Sequence, residues 1–262
     1  MGKMPVVLLA GGRGTRLGEF TNVTPKPLVK VGPSPIIQHL MNWFIKYGYD
    51  EFYILTGYLH EEIEKYFLHV KYSGNKSIFI SDNEIKSDTL SHLHCKITLV
   101  NTGIDSGIAF RVKQVQKFIG NRPFILTYSD GLANVDIDKL VEYHSDMKKS
   151  RDILVTLSAI QPSSRFGVVD IDKNGLVERF REKPSMNDWI NIGFMVLEPG
   201  IFKYLENIKE SDMLESDIFP GLATEQKITA YLHRGAFKSM DSYKDYTEFN
   251  KLWDSGKIFW KV

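Results

Sequence analysis

The chain has 262 residues, 43% of them hydrophobic and 25% charged, a globular balance that excludes wholesale disorder. Lys and Arg number 33 against 32 Asp and Glu, and the resulting net charge of +1 gives no broad electrostatic attraction to nucleic acid or to a membrane surface. No apolar run approaches the ~20 residues that span a bilayer, and a single cysteine, Cys95, rules out an internal disulfide and fits a reducing, cytoplasmic setting.

The apolar stretch at 6–10 is too short for the core of a signal peptide, and Val6 stands where a myristoylated Gly2 would need Ser or Thr. Residues 5–10 read instead as a buried strand that ends in glycines. Ile37, Leu40, Met41, Phe44 and Ile45 recur at helical spacing within 34–47, with Gly48 placed to cap that helix. A strand at 51–56 and a short helix at 60–67 follow, then strands at 96–100 and 123–128 with a helix from about 111 to 118 between them. Asp136 stands where it caps a helix whose inner stripe is Ile137, Leu140, Val141, His144 and Met147. This alternation predicts an α/β class, with a Rossmann-like, mostly parallel sheet flanked by helices. The second half changes character. Strands at 153–160, 167–171, 176–181 and 190–197 are joined partly by tight turns, among them Asp172-Lys-Asn-Gly175, a hairpin signal. A helical region around 213–224 and a last helix at 242–253 complete the chain. Nothing in it marks a linker, so one domain is expected over 1–262.

The stretch after the first strand, Leu9-Ala10-Gly11-Gly12-Arg13-Gly14-Thr15-Arg16, can cradle phosphate. Glycines let backbone N–H groups approach phosphate oxygens, and Arg13 and Arg16 add charge-assisted hydrogen bonds. The third Rossmann glycine position holds Leu17, and no Gly-Lys-Ser/Thr of a Walker loop follows. On its own the stretch is equally a glycine-rich turn. Pro25-Lys26-Pro27-Leu28 adds a lysine whose backbone is stiffened by a proline on either side.

Together, G-G-x-G-T-R-L and P-K-P-L resemble the sugar nucleotidyltransferases, the nucleoside-diphosphate-sugar pyrophosphorylases, and the likeness extends over nearly the whole chain. It implies a nucleotide-binding half up to about residue 135, with Leu9 to Arg16, Lys26, Thr102 and Arg111 on the nucleotide side. The remainder would supply the acceptor-binding half and the C-terminal helix. Asp130, in Tyr128-Ser-Asp-Gly131, matches the aspartate that holds a catalytic Mg²⁺, and Asp241, in Ser239-Met-Asp241, the second metal aspartate. Glu182, Lys183, Asn191 and Gly167 match the segments that hold the acceptor. Arg16, Lys26, Asp130 and Lys183 are the residues to which the resemblance gives catalytic work. Within the family, 98–103, 165–171 and 252–261 read like the branch that joins CTP to glucose 1-phosphate. The likeness further implies a homo-oligomer with sites near subunit contacts. A non-glucose or non-sugar phosphate ester, UTP or dTTP as donor, and a non-catalytic regulatory homologue stay open as alternatives.

Three positions depart from the family pattern. Gly107-Ile-Ala-Phe-Arg111 replaces paired glycines, Ser129 replaces a glycine before the metal aspartate, and Ile192 replaces the first of a Gly-Gly pair, with Trp189 close by. Strict strand alternation would turn Ile192 away from Asn191 and out of the acceptor's path; a bend would turn it inward and shrink the pocket. Ser91-His-Leu-His-Cys95 offers too few ligands for zinc and reads as a polar loop.

Overall fold

In the computed structural model of the chain, five consecutive buried side chains, Val6–Ala10, form the middle of a nine-stranded sheet. The structure describes residues 3–72, 78–81, 84–87, 95–164 and 166–260. The pair His92 and His94 lies outside them, and so does Arg165. Across the sheet the order is Ile228–Leu232, Val155–Ile160, Ile190–Leu197, Phe124–Tyr128, Val6–Ala10, Glu51–Thr56, Lys96–Asn101, Glu84–Ser87 and Ile78–Ser81. Only Ile190–Leu197 and Glu84–Ser87 run against the rest.

Alternation on the central strand sorts its side chains into two cores. Val6, Leu8 and Ala10 join the helices Ile36–Lys46, His60–Tyr72, Ile137–Ser150 and Tyr243–Asp254 through Ile37, Phe44, Ile63, Leu140 and Phe249. Val7 and Leu9 face Ile108–Ile119 and the short helices at Ile201–Tyr204 and Phe219–Thr224. The result is a three-layer α/β arrangement, as the strand–helix alternation predicts. No helix among the described residues is long and apolar enough to cross a membrane.

Most expected elements occupy their places. Asp136 caps its helix by accepting from Lys139 N at 3.1 Å, and the hairpin at 172–175 joins the antiparallel strands Val168–Ile171 and Val177–Arg181. Two differences have physical causes. The helix expected at about 111–118 begins at Ile108, because Gly107 N and Ala109 N find acceptors in Glu210 O and Asp212 O, at 2.7 and 3.1 Å. Gly107 has to be glycine there, since a Cβ would lie 2.5 Å from Ser211 O. Strands at Ile228–Leu232, Gly131–Ala133 and Phe237–Ser239 carry no clear hydrophobic alternation: the first is mostly half-buried, the other two are three residues long.

Chain order places the functional crevice. From the central strand the sheet is built outward through Glu51–Thr56 to Lys96–Asn101. The chain then crosses back and adds Phe124–Tyr128 on the opposite side of the central strand. Ligands of open α/β sheets bind at the carboxyl ends of the strands where the order reverses in this way. Gly11 follows one of the two strands at that point, and Ser129 and Asp130 follow the other.

Candidate active site

Gly14 turns the loop after the central strand through a left-handed conformation, φ 64°, and its missing Cβ leaves room for Thr21 Cγ2 and Lys26 Cβ. The loop, with Ser129 and Asp130 opposite, encloses a cavity of about 510 Å³. Every residue from Leu9 to Arg16 lines it, as do Lys26, Arg111 and Tyr128, and Ile104, Ile108 and Met213 add an apolar side. Arg13 bridges its mouth to Asp105 at 2.7 Å. Ser129, the departure from the family pattern beside Asp130, is buried and donates Oγ to Leu9 O at 2.6 Å, which ties the two strand ends together.

Lys26 leaves its turn between Pro25 and Pro27 with its side chain only 11% exposed. Its Nζ lies 2.5 Å from Asp130 Oδ2 and 2.9 Å from Asp241 Oδ1, so the two aspartates converge on one cation. The small ladder of Gly131–Ala133 with Phe237–Ser239 sets that meeting: Ser239 pairs with Gly131, and Met240 N donates to Asp130 O at 2.8 Å. Asp245 then fixes the backbone after it by accepting from Asp241 N and Ser242 N, and Ser242 completes a capping box on the last helix. Arg16 reaches Asp241 Oδ1 at 2.9 Å, and Ser239 Oγ donates to Oδ2. Burial opposes ionisation of Asp241, yet the Lys26 hydrogen bond and charge, with Ser239 and Arg16, hold its carboxyl below the usual aspartate range.

No group of three or more His, Cys, Asp or Glu side chains among the described residues could hold a metal. Two converging carboxylates nonetheless suit Mg²⁺, which takes one or two protein carboxylates and completes its shell with water and substrate phosphates. The donor set therefore fits that ion.

Two residues expected on the nucleotide side are bonded to the protein itself. Thr102 is buried, donates Oγ1 to Thr56 O at 2.6 Å and accepts from Arg111. Arg111 touches the cavity wall but is 5% exposed, with its guanidinium hydrogen-bonded to protein acceptors. The acceptor-side residues form a separate group that does not line the cavity. Gly167 lies under the Phe180 ring and beside Glu182, whose Oε2 would be 3.2 Å from a Cβ there. Lys183, at φ 45°, and Asn191 are exposed; Lys183 Nζ is 3.7 Å from Glu182 Oε1, and Asn191 Oδ1 accepts from Gly193 N. Ile192 is 4% exposed in the core with Phe194 and Val196, so strand alternation does turn it away from Asn191.

Sequence reasoning missed the supports. Tyr128 donates to Glu215, whose other carboxylate oxygen is buried without a partner, and burial raises the Glu215 pKa. The ring of Tyr128 also lies where a Cβ of Gly193 would stand.

Comparison with known proteins bears on the family and the fold. The nucleotidyl transferase family model matches residues 5–258. A Bacillus subtilis protein named "Probable glucose-1-phosphate cytidylyltransferase" is 37% identical over 260 residues, 99% of this chain and 100% of its own. The glucose-1-phosphate cytidylyltransferase of Salmonella typhimurium is 34% identical over 265 residues, 99% of each chain. A solved UDP-glucose pyrophosphorylase, complexed with UDP-glucose, shares the fold with a TM-score of 0.69 at 20% identity, over 98% of this chain and 100% of that one. By its sequence and its fold, the chain belongs to the nucleotidyl transferase family.

Proposed function

We propose that this enzyme transfers CMP from CTP to glucose 1-phosphate, releasing pyrophosphate and forming CDP-glucose. The observation that carries the reading is the meeting of Lys26, Asp130 and Asp241 beside a glycine loop at the point where the strand order reverses. Full-length relatives that bear the cytidylyltransferase name support the choice of nucleotide and acceptor.

An acceptor phosphate is already largely ionised at neutral pH, so it needs no general base to attack the α-phosphorus. The barrier is repulsion among anions, and catalysis is positioning and charge stabilisation. The amides of Gly11 to Gly14, with Arg13 and Arg16, hold the β- and γ-phosphates. Lys26 leaves the carboxylates for the α-phosphoryl group as charge develops there. Lys183 receives the acceptor phosphate, and Glu182, Asn191 and the Gly167 backbone orient the rest of the acceptor. Asp130 and Asp241 would hold Mg²⁺, which would supply positive charge to the phosphate oxygens.

Cytosine presents an amino donor where uracil and thymine present an acceptor. A site built for that donor leaves a buried acceptor unpaired with UTP, at a cost of ~1–3 kcal/mol. The test is pyrophosphate release with each NTP and glucose 1-phosphate. CTP should exceed UTP at least roughly tenfold in kcat/KM; equal use of both would overturn the cytidylyl assignment. We further place the enzyme in the cytoplasm and read it as a homo-oligomer. The hairpin of Val168–Ile171 and Val177–Arg181 supports the latter: Val169 faces Phe180 and Ile171 faces Val177 across the ribbon, and all four are exposed.

A further inference from the structure

The second carboxylate of the site depends on a ladder of three residue pairs: Phe237 with Ala133, Lys238 with Leu132 and Ser239 with Gly131. A two-stranded ribbon this short is marginal by itself, and its register needs an outside reference. A slip of one residue would carry Asp241 about 3.3 Å along the strand and exchange the faces of the ribbon, which would break its 2.9 Å contact with Lys26.

That reference stands at the entry to the ladder. Residues 233–236 bring the chain there from the sheet edge Ile228–Leu232, and His233 N is still tied to the sheet through Ala159 O at 2.8 Å. Asn134, directly after the partner strand, receives both ends of this connection on one atom: its Oδ1 accepts from Ala236 N at 2.7 Å and lies 3.1 Å from His233 Nε2. Asn134 N also donates to Ala236 O at 3.1 Å, so backbone and side chain of one residue hold Ala236 from two sides. An amide oxygen has two lone pairs, and both are used here. His233 Nε2 faces two acceptors, Asn134 Oδ1 and Ala236 O at 3.4 Å, which assigns the ring proton to that nitrogen. The ring is 7% exposed, and burial lowers its pKa, so it is neutral at pH 7. Gly235 leaves the space for this contact: a Cβ there would stand 2.2 Å from Asn134 Oδ1 and 2.7 Å from His233 Nε2, although its φ is not left-handed. Neither Asn134 nor His233 lines the nucleotide cavity.

We propose that Asn134 is a positioning residue for Asp241: by gathering His233 and Ala236 on its side-chain oxygen, it fixes the register of the ladder that delivers Asp241 to Lys26 and Asp130. The consequence for metal binding rests on the reading of Asp130 and Asp241 as the Mg²⁺ carboxylates, while the register itself stands without any ligand.

The experiment reads amide hydrogen exchange of the free enzyme by mass spectrometry, and Mn²⁺ binding by electron paramagnetic resonance in the presence of CTP. In Asn134→Ala, residues 236–241 should exchange at least about tenfold faster, while the central strand at 6–10 stays within about twofold of wild type. Unchanged exchange at 236–241, or equal acceleration of both segments, would overturn the proposal. The same variant should bind Mn²⁺ at least about tenfold more weakly and bind CTP without metal within about threefold of wild type. Wild-type Mn²⁺ affinity in Asn134→Ala, where Asp241→Asn has lost it, would also overturn it. Asn134→Asp keeps the accepting oxygen and should return both readings to within about threefold of wild type; if it behaves as Asn134→Ala does, the role assigned to that oxygen is refuted. Gly235→Ala crowds the same oxygen and should reproduce the Asn134→Ala pattern, which decides the question if Asn134→Ala does not fold. Wild-type Mn²⁺ affinity in Asp241→Asn counts against the metal reading alone, since the exchange data still decide whether Asn134 sets the register.

Discussion

Removing the Lys26 ammonium tests both the stability and the chemistry of the site. In the free enzyme this group lies between Asp130 and Asp241, whose side chains are 30% and 23% exposed. Each contact is worth roughly 6 kcal/mol in gross Coulomb energy at an effective dielectric near 20, much of it offset by desolvation. Breaking a fully buried pair costs ~3–5 kcal/mol; these carboxylates keep some solvent, and Arg16 still reaches Asp241, so about 2 kcal/mol is the reasoned loss for Lys26→Ala. That corresponds to a Tm roughly 4–8 °C below wild type. The two carboxylates left facing each other should then accept a dication readily, so added Mg²⁺ should raise the variant's Tm more than the wild type's. Turnover should fall by ~10²–10³, the usual effect of losing one preorganised donor to a reacting phosphoryl group. Acid sensitivity gives an independent sign. The depressed Asp241 pKa contributes stability that is full above its ordinary value of 3.8 and is lost as pH falls through the depressed value. Without Lys26 most of that contribution is absent at every pH. Calorimetry with and without Mg²⁺, beside pyrophosphate-release kinetics, reads all three effects. Near-normal turnover together with an identical Mg²⁺ response would refute the shared-cation reasoning.

Two further substitutions probe the wall formed by Tyr128. Burial raises the Glu215 pKa above its ordinary 4.5, so the group stabilises the fold when protonated and less as pH rises; Glu215→Gln should raise Tm at pH 8 and lose that gain below pH 4.5, and thermal scans showing the reverse order would contradict it. Gly193→Ala meets both a φ of 81° and the Tyr128 ring, and should cost about 2–4 kcal/mol in urea unfolding, with part of the loss recovered when Tyr128→Ala is added.

The parallel half of the fold was legible because its strands are buried on both faces and read as unbroken apolar runs, and because its helices carry one clean stripe. Val6–Ala10 and Asp136 with its helix are such cases. Ile228–Leu232 escaped notice because an edge strand is partly wet along its length and has no alternation to display. At the site, residue types and spacing pointed to the glycine loop and Lys26, while Asp130 and Arg111 came from the family resemblance. Arg111 lines the cavity, and no pattern in the sequence announces the carbonyls of Thr56, Gly103 and Gly11 that surround its guanidinium. Periodicity could not place Asp241 either: its nearness to Asp130 depends on a ladder of three-residue strands formed across the length of the chain.

That ladder bears on how the site is assembled. Loop, lysine and first aspartate all come from the first half of the chain, yet the second aspartate arrives only when Phe237–Ser239 pairs with Gly131–Ala133 and the last helix docks through Phe249. The strand Ile190–Leu197, which carries Asn191, is hydrogen-bonded to Phe124–Tyr128, the strand that leads to Asp130. Its bulge at Gly193 receives the ring of Tyr128, which also lines the nucleotide cavity. One side chain therefore stands between the cavity and the strand that carries Asn191, and sheet register sets the spacing of the two. Ile192 fits this account: it is buried with Phe194 and Val196 on the core side of the strand, so the branched side chain at a family glycine position does not narrow the face that carries Asn191.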